Sequence, residues 1–168
     1  MSFEEGALLE PLSVALAGIE RSGLRLGDNL VICGAGPIGM VTLLAAHAAG
    51  AGPIVITDLD ENRLTMAKNL VPRVRTVQIQ KADDAQQSAE RVKSALGSEA
   101  KLVVECTGVQ SSIHTGIYVC SHPMPLFMNG NADRLITQGF PIWRHRIHHR
   151  CWEGHSRNPV HERLLPRN

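Results

Sequence analysis

Short apolar runs and amphipathic segments alternate along residues 29–118, and this alternation predicts strands and helices in turn. Residues 30–33 (LVIC) form an apolar run that is too short for a helix and is followed by glycine, which is typical of a buried parallel strand. Residues 83–96 instead carry apolar side chains at helical spacing, with charged residues on the opposite face. The same criteria predict strands at 53–57, 75–80 and 102–106 and helices at 37–49, 60–69 and 110–118. Regular alternation of strand and helix predicts an α/β fold with a doubly wound parallel sheet.

The segment before the first strand is predicted to be helical. Ser2 and Glu5 have the spacing of a capping box, and apolar residues then recur at helical intervals. We expect Pro11 to begin a second helix that runs to about residue 22. Glu10 lies in an apolar stretch, and the residues alone favour a solvated glutamate in a first helical turn.

A glycine-rich turn follows the first strand and carries the pattern G-x-G-x-x-G. Gly34 allows the tight turn, Gly36 lets the backbone approach a pyrophosphate, and Gly39 lets the helix pack closely on the strand. Pro37 suits the first helical turn, where its missing N–H costs nothing. Asp58 ends the second strand, at the spacing expected for a carboxylate that binds the adenosine ribose. These features together predict a Rossmann-type dinucleotide site; the alternative is that the glycines serve only helix–strand packing.

The predicted site is expected to prefer NAD and to lie at the carboxyl ends of the strands. Asp58 would repel the 2′-phosphate of NADP. Ligands of doubly wound sheets bind at the carboxyl ends of the strands, where Gly36, Asp58 and Thr107 fall. Arg63 follows Asp58 closely enough to reach an adenine or a ribose, although most surface arginines have no such role.

Length and composition restrict the class of protein. A chain of 168 residues with net charge +1 and 43% hydrophobic residues is expected to be one globular domain. It has no apolar run of about 18 residues, which argues against a membrane span, and its acidic first residues are unlike a signal peptide. Cys33 and Cys106 lie in predicted strands and are expected to be reduced core residues. We therefore expect a cytoplasmic protein.

Three segments together resemble the medium-chain zinc-dependent polyol dehydrogenases, nearest to the L-arabinitol, xylitol and sorbitol dehydrogenase branch. They are EEGALLEPLSVALAG, GDNLVICGAGPIGMVTLLAAHAAGAGPIVITDLDENRL and ECTGVQSSIHTGIY. The resemblance covers residues 1–118. It implies oxidation of a secondary alcohol of a sugar alcohol, with hydride transfer to NAD and with zinc polarising the alcohol oxygen.

The resemblance also implies roles for individual residues. Glu10 would stand beside the catalytic zinc, which replaces the solvated interpretation given above. Asp58 and Arg63 match the pair that binds the adenosine ribose. The pyrophosphate contacts would fall on Gly36, Pro37, Ile38 and Gly39.

The chain departs from that family in what it lacks. The family's enzymes have an N-terminal catalytic domain that supplies cysteine, histidine and a second glutamate as zinc ligands, and this chain is expected to start after it. One glutamate cannot form a catalytic zinc site. We therefore expect the chain alone to be inactive, with homo-oligomers more typical of the full-length enzyme. The alternative function is a non-catalytic dinucleotide-binding module with a basic, histidine-rich tail.

The predicted organisation is an inter-domain helical segment (1–28), a partial NAD-binding domain (29–118) and an irregular, disordered tail (119–168). The tail could be a basic arm for nucleic acid or a metal-binding tract around His145, His148 and His149. We favour neither partner, and expect no membrane partner. Without a fifth strand, the fourth strand would form a sheet edge with unpaired backbone groups, leaving the chain marginally stable.

A third interpretation is that the tail is read in the wrong frame after an unspliced intron. Shifting the frame by one base from Ile142 onward allows FGGTV(S/F)IIGVGKDTVAIPFMNASYREN, which has the strand and glycine turn that the family's fold requires next. The codons of Val119 and Cys120 can read GTATGT, which resembles a splice donor. This is the interpretation of residues 119–168 that we favour.

Overall fold

The computed structural model describes residues 1–120 and the backbone of residues 126–128. Five helices and five strands alternate in this part of the chain. Their bounds are α1 (Phe3–Ser22), β1 (Leu30–Cys33), α2 (Pro37–Ala48), β2 (Ile54–Asp58), α3 (Glu61–Leu70), β3 (Arg75–Gln78), α4 (Ala85–Leu96), β4 (Leu102–Glu105), α5 (Gln110–Val119) and β5 (Leu126–Met128). The α/β class and the alternation predicted from the sequence are confirmed, with bounds that differ by one or two residues.

The strands form one parallel sheet in the order β3-β2-β1-β4-β5. β1 lies at the centre, and Leu30 aligns with Ile54 of β2 and Leu102 of β4. Alternate side chains of β1 enter two separate cores: Ile32 packs with one helical layer, and Val31 packs with the other. Both faces of β1 are therefore buried, which explains why its sequence is a continuous apolar run.

The expectation that β4 forms the sheet edge is wrong. The backbone of Leu126–Met128 pairs with β4 in parallel, in the register Val103 to Leu126. This pairing gives the backbone groups of β4 partners on both sides, since β1 lies on its other side. The fifth strand thus arises from residues assigned to the irregular tail. The interpretations of the remaining tail, including His145, His148 and His149, fall outside the described residues.

Helix α1 is continuous, and the prediction of a new helix at Pro11 is wrong. The predicted capping box is present: the Glu5 amide donates to Ser2 Oγ at 3.2 Å, and the Ser2 amide donates to Glu5 Oε2 at 2.7 Å. Pro11 lies inside the helix, where its lack of an N–H removes one intrahelical bond. Packing of α1 against α2, with Ala15 buried, maintains the helix through this point. No helix in the described part of the chain is long and apolar enough to cross a membrane.

Candidate functional site

The glycine-rich loop between β1 and α2 depends on glycine at two positions for packing. Gly34 has φ of +101°, and a Cβ built there would stand 2.6 Å from Cγ2 of Thr107. A Cβ at Gly39 would overlap the carbonyl oxygen of Gly34. Gly36 differs, because a Cβ there would meet no atom within 4 Å. Gly34 and Gly39 are thus required by the fold, whereas Gly36 borders open space.

Helix α2 begins at this loop and directs its first turn toward the same space. Gly36 is the N-cap and has no side chain to cap the helix, and Pro37 occupies the first helical position. The first intrahelical bond is donated by the Met40 amide to the carbonyl of Gly36 at 2.9 Å. Amides that precede such a bond have no intrahelical partner and carry the positive end of the helix dipole. The half-buried Ile38 belongs to this turn, which is suited to an anionic group.

Asp58 joins the end of β2 to the glycine loop. Its Oδ2 accepts a hydrogen bond from the Ala35 amide at 2.8 Å, and its Oδ1 accepts one from the Asp60 amide at 2.9 Å. The side chain is only 11% exposed. Two carboxylate oxygens offer about four acceptor positions, so Asp58 retains capacity for ligand hydroxyls. The carboxylate is therefore fixed beside the loop by the backbone.

Arg63 lies over this carboxylate on the first turn of α3. Its Nη1 is 3.8 Å from Oδ2 of Asp58, and its Nε is 3.9 Å from Oδ2 of Asp60. The side chain is 57% exposed, and ion pairs of this length and exposure contribute little to stability. The guanidinium can therefore move between carboxylates and a ligand at small cost.

The loop after β4 approaches the glycine loop from the other side and is built on a buried carboxylate. Glu105, which is 1% exposed, accepts hydrogen bonds from the amides of Thr107 and Gly108, both at 2.9 Å, and from Ser112 Oγ at 3.0 Å. The hydroxyl of Thr107 donates to it as well. The sequence pattern predicts Glu105 within the strand at 102–106 and assigns it no role. The signal was a charged residue that ends an otherwise apolar strand.

The thiols near the site are protonated at neutral pH. Burial, together with a smaller effect of the nearby Glu105 carboxylate, raises the pKa of Cys33 to about 12. Burial likewise raises the pKa of Cys106 to about 12. Both cysteines are unpaired, so they behave as core residues, as the sequence predicts, and they offer no thiolate to a substrate or metal.

The predicted site residues therefore divide into two groups. Gly34, Gly36, Pro37, Ile38, Gly39, Asp58, Arg63 and Thr107 are brought to the carboxyl edge of the sheet by the glycine loop and the loops after β2 and β4. Glu10 is exposed on α1 and takes no part in these contacts. Among the residues that the structure describes, no three His, Cys, Asp or Glu side chains could hold a metal. The described residues do not fit a zinc site.

Comparison with known proteins identifies the family. The sequence profile of the family described as zinc-binding dehydrogenase matches residues 37–152. The match extends beyond residue 118, where we expected the resemblance to end.

Individual relatives agree with the family match. The chain is 53% identical over 149 residues to an L-arabinitol 4-dehydrogenase of Penicillium rubens, covering 83% of this chain and 39% of that protein. It is 50% identical over 137 residues to a sorbitol dehydrogenase of Mus musculus, covering 82% of this chain and 38% of that protein. The structure of 2R,3R-butanediol dehydrogenase from Bacillus subtilis superposes with a TM-score of 0.66 at 30% identity, over 76% of this chain and 35% of that one. The chain spans about two fifths of the length of its curated relatives, and it belongs to the zinc-binding dehydrogenase family.

Proposed function

We propose that this chain is the NAD-binding part of a dehydrogenase that oxidises a secondary alcohol of a sugar alcohol. The observation that carries the proposal is the position of Asp58, whose carboxylate accepts the Ala35 amide of the glycine loop at 2.8 Å. A carboxylate fixed between the end of β2 and a phosphate-binding turn is suited to the hydroxyls of an adenosine ribose.

NAD fits the described residues in three places. The open face of Gly36 and the amides at the start of α2 would hold the pyrophosphate. Asp58 would accept hydrogen bonds from the ribose hydroxyls, with Arg63 moving over the adenosine. Thr107 would contact the cofactor from the loop after β4. The bound NAD supplies a nicotinamide ring that accepts a hydride.

The sugar-alcohol substrate is inferred from the relatives, which are named for L-arabinitol and sorbitol. Substrate binding and zinc binding are assigned to no described residue, and Glu10 as a zinc ligand remains a proposal that depends on residues from elsewhere. We place the enzyme in the cytoplasm, supported by the buried, unpaired Cys33 and Cys106. A homo-oligomer is proposed for the full-length enzyme only.

The cofactor proposal is tested by comparing NADH with NADPH. We expect the chain to bind NADH at least about tenfold more tightly, because Asp58 repels a 2′-phosphate. The variant Asp58→Ser should lose most of this preference, as measured by fluorescence titration. Asp60→Ala is the matched control, since Asp60 pairs with the same Arg63 but does not contact the glycine loop. Equal affinity of the unaltered chain for both nucleotides, or affinity for neither, would contradict the proposal.

The reaction is tested in a longer protein. Fusing this chain to the part of the Penicillium rubens enzyme that it does not cover should give NAD reduction with L-arabinitol or a related sugar alcohol. The same fusion carrying Asp58→Ser should show a raised KM for NAD, since the change removes a cofactor contact. A folded fusion that binds NADH but reduces NAD with no sugar alcohol would favour the non-catalytic binding module.

A further inference from the structure

Glu105 concentrates four hydrogen bonds on one buried carboxylate. Oε1 accepts the Thr107 amide, the Thr107 hydroxyl and Ser112 Oγ, and Oε2 accepts the Gly108 amide. Burial of a carboxylate is unfavourable unless both oxygens are hydrogen-bonded. These donors come from the loop after β4 and from α5, so the carboxylate fixes that loop to the start of the following helix.

The loop that Glu105 holds lies directly against the glycine loop. The Cγ2 atom of Thr107 occupies the space that a Cβ at Gly34 would need, at 2.6 Å. The Thr107 hydroxyl also accepts the Val109 amide at 3.0 Å, and the Cys106 amide donates to the carbonyl of Cys33 at 2.8 Å. Thr107 is therefore held by hydrogen bonds to Glu105 on one side and packs against Gly34 on the other.

The sheet order places this loop on the side of the glycine loop away from Asp58. β1 lies between β2, which ends at Asp58, and β4, which ends at Glu105. A dinucleotide with its adenosine at Asp58 and its pyrophosphate at the glycine loop extends its other half past the end of β1 and toward β4. Thr107 and the exposed Val109 lie at that end.

We propose that Glu105 is a positioning residue for the nicotinamide half of the cofactor. It acts through Thr107 and Gly108, whose amides it orders, and it does not touch the ligand because it is buried. The inference rests on the proposed NAD-binding function. It predicts that Glu105 affects affinity for the dinucleotide but not for its adenosine half.

The test is the variant Glu105→Gln, titrated with NADH and with 5′-AMP. A glutamine has nearly the same shape but presents an NH₂ group to at least one of the donors that the carboxylate satisfied, so the loop must shift. We expect NADH affinity to fall about tenfold while 5′-AMP affinity stays within about twofold of the unaltered chain. A purely structural role would change both affinities together.

Two further variants serve as a control for general destabilisation and as a substitute if Glu105→Gln does not fold. Lys101→Ala removes a contact at the amino ends of the strands, so it should lower the melting temperature and leave the ratio of the two affinities unchanged. If Glu105→Gln does not fold, Ser112→Ala carries an expectation of the same kind but smaller size, because it removes the hydrogen bond from α5 to Glu105 Oε1 and leaves Thr107 unchanged.

The outcomes separate this inference from the proposed function. If the unaltered chain binds neither NADH nor 5′-AMP, the proposed function fails, and the positioning role fails with it. If the unaltered chain binds both, but the variant changes both equally or changes neither, only the role of Glu105 is overturned. A selective loss of NADH affinity supports both.

Discussion

At the scale of single residues, the glycines of the G-x-G-x-x-G motif differ in role: one is needed for packing, and another borders the space proposed for the cofactor. Gly39 is closed in by the backbone of Gly34, whereas Gly36 faces open space with φ of −74°. We expect Gly39→Ala to destabilise the fold by about 1–3 kcal/mol, because the added methyl group forces α2 away from β1. Gly36→Ala should cost less than about 1 kcal/mol but should weaken NADH binding, since its methyl group would occupy the space proposed for the pyrophosphate. Urea unfolding and NADH titration of both variants test this.

The comparison has an internal control, because both variants add one methyl group to the same loop. Retention of NADH affinity in a stable Gly36→Ala protein would mean that no phosphate group lies against this residue. In that case the open space at Gly36 is not the pyrophosphate site, and the cofactor proposal loses its contact at this residue.

At the scale of elements, the sequence predicts those features that depend on residues close together in the chain. β1 and β4 are buried on both faces, so their apolar runs were visible in the sequence. Asp58 and the glycines could be predicted because they lie at fixed intervals from those strands. The role of Glu105 could not, since its partners include Ser112 in the following helix. A carboxylate that ends a strand looks the same in sequence whether it is solvated or buried.

The two errors at this scale have a tertiary origin. Pro11 was expected to begin a helix because it weakens local hydrogen bonding, but packing of α1 on α2 outweighs the single lost bond. Residues 126–128 were not predicted as a strand because a segment of three residues is too short to show an alternating or apolar pattern. Their pairing with β4 exists only in the assembled sheet.

At the scale of the whole molecule, different groups of side chains lie at the two ends of the central strands. The carboxyl ends carry the candidate site, whereas the amino ends are joined by a polar cluster around Asp28. Lys101 Nζ forms an ion pair with Asp28 Oδ1, and the Arg25 amide donates to Asp28 Oδ2 at 2.9 Å. The neighbouring Asn29 donates to Ser98 Oγ at 2.8 Å. The Asp28–Lys101 and Asn29–Ser98 contacts span about 70 residues of sequence, so they are made only in the folded state.

The ion pair makes part of the stability depend on pH. The hydrogen bond from Lys101 lowers the pKa of Asp28 below its ordinary value of 3.8, while partial burial opposes the shift. A folded-state pKa below the unfolded value means that the contribution is fully present above 3.8 and is lost as the pH falls through the folded-state pKa. Lys101→Ala should therefore lower the free energy of unfolding near neutral pH by about 0.2–1 kcal/mol, because the exposed Lys101 leaves the pair screened by solvent. In acid below the folded-state pKa of Asp28, the variant and the unaltered chain should become equally stable.

Urea unfolding over a series of pH values measures this difference directly. Lys93→Ala is the matched control, because Lys93 pairs with the exposed Glu90 within α4 and joins no distant parts of the chain. A Lys101→Ala penalty that persists unchanged in acid would show that the lysine stabilises the sheet through packing of its stem and not through Asp28. A penalty that disappears in acid assigns it to the carboxylate. The amino ends of β1 and β4 would then be joined electrostatically. The loop that Glu105 is proposed to position lies at the other, carboxyl ends of the same strands.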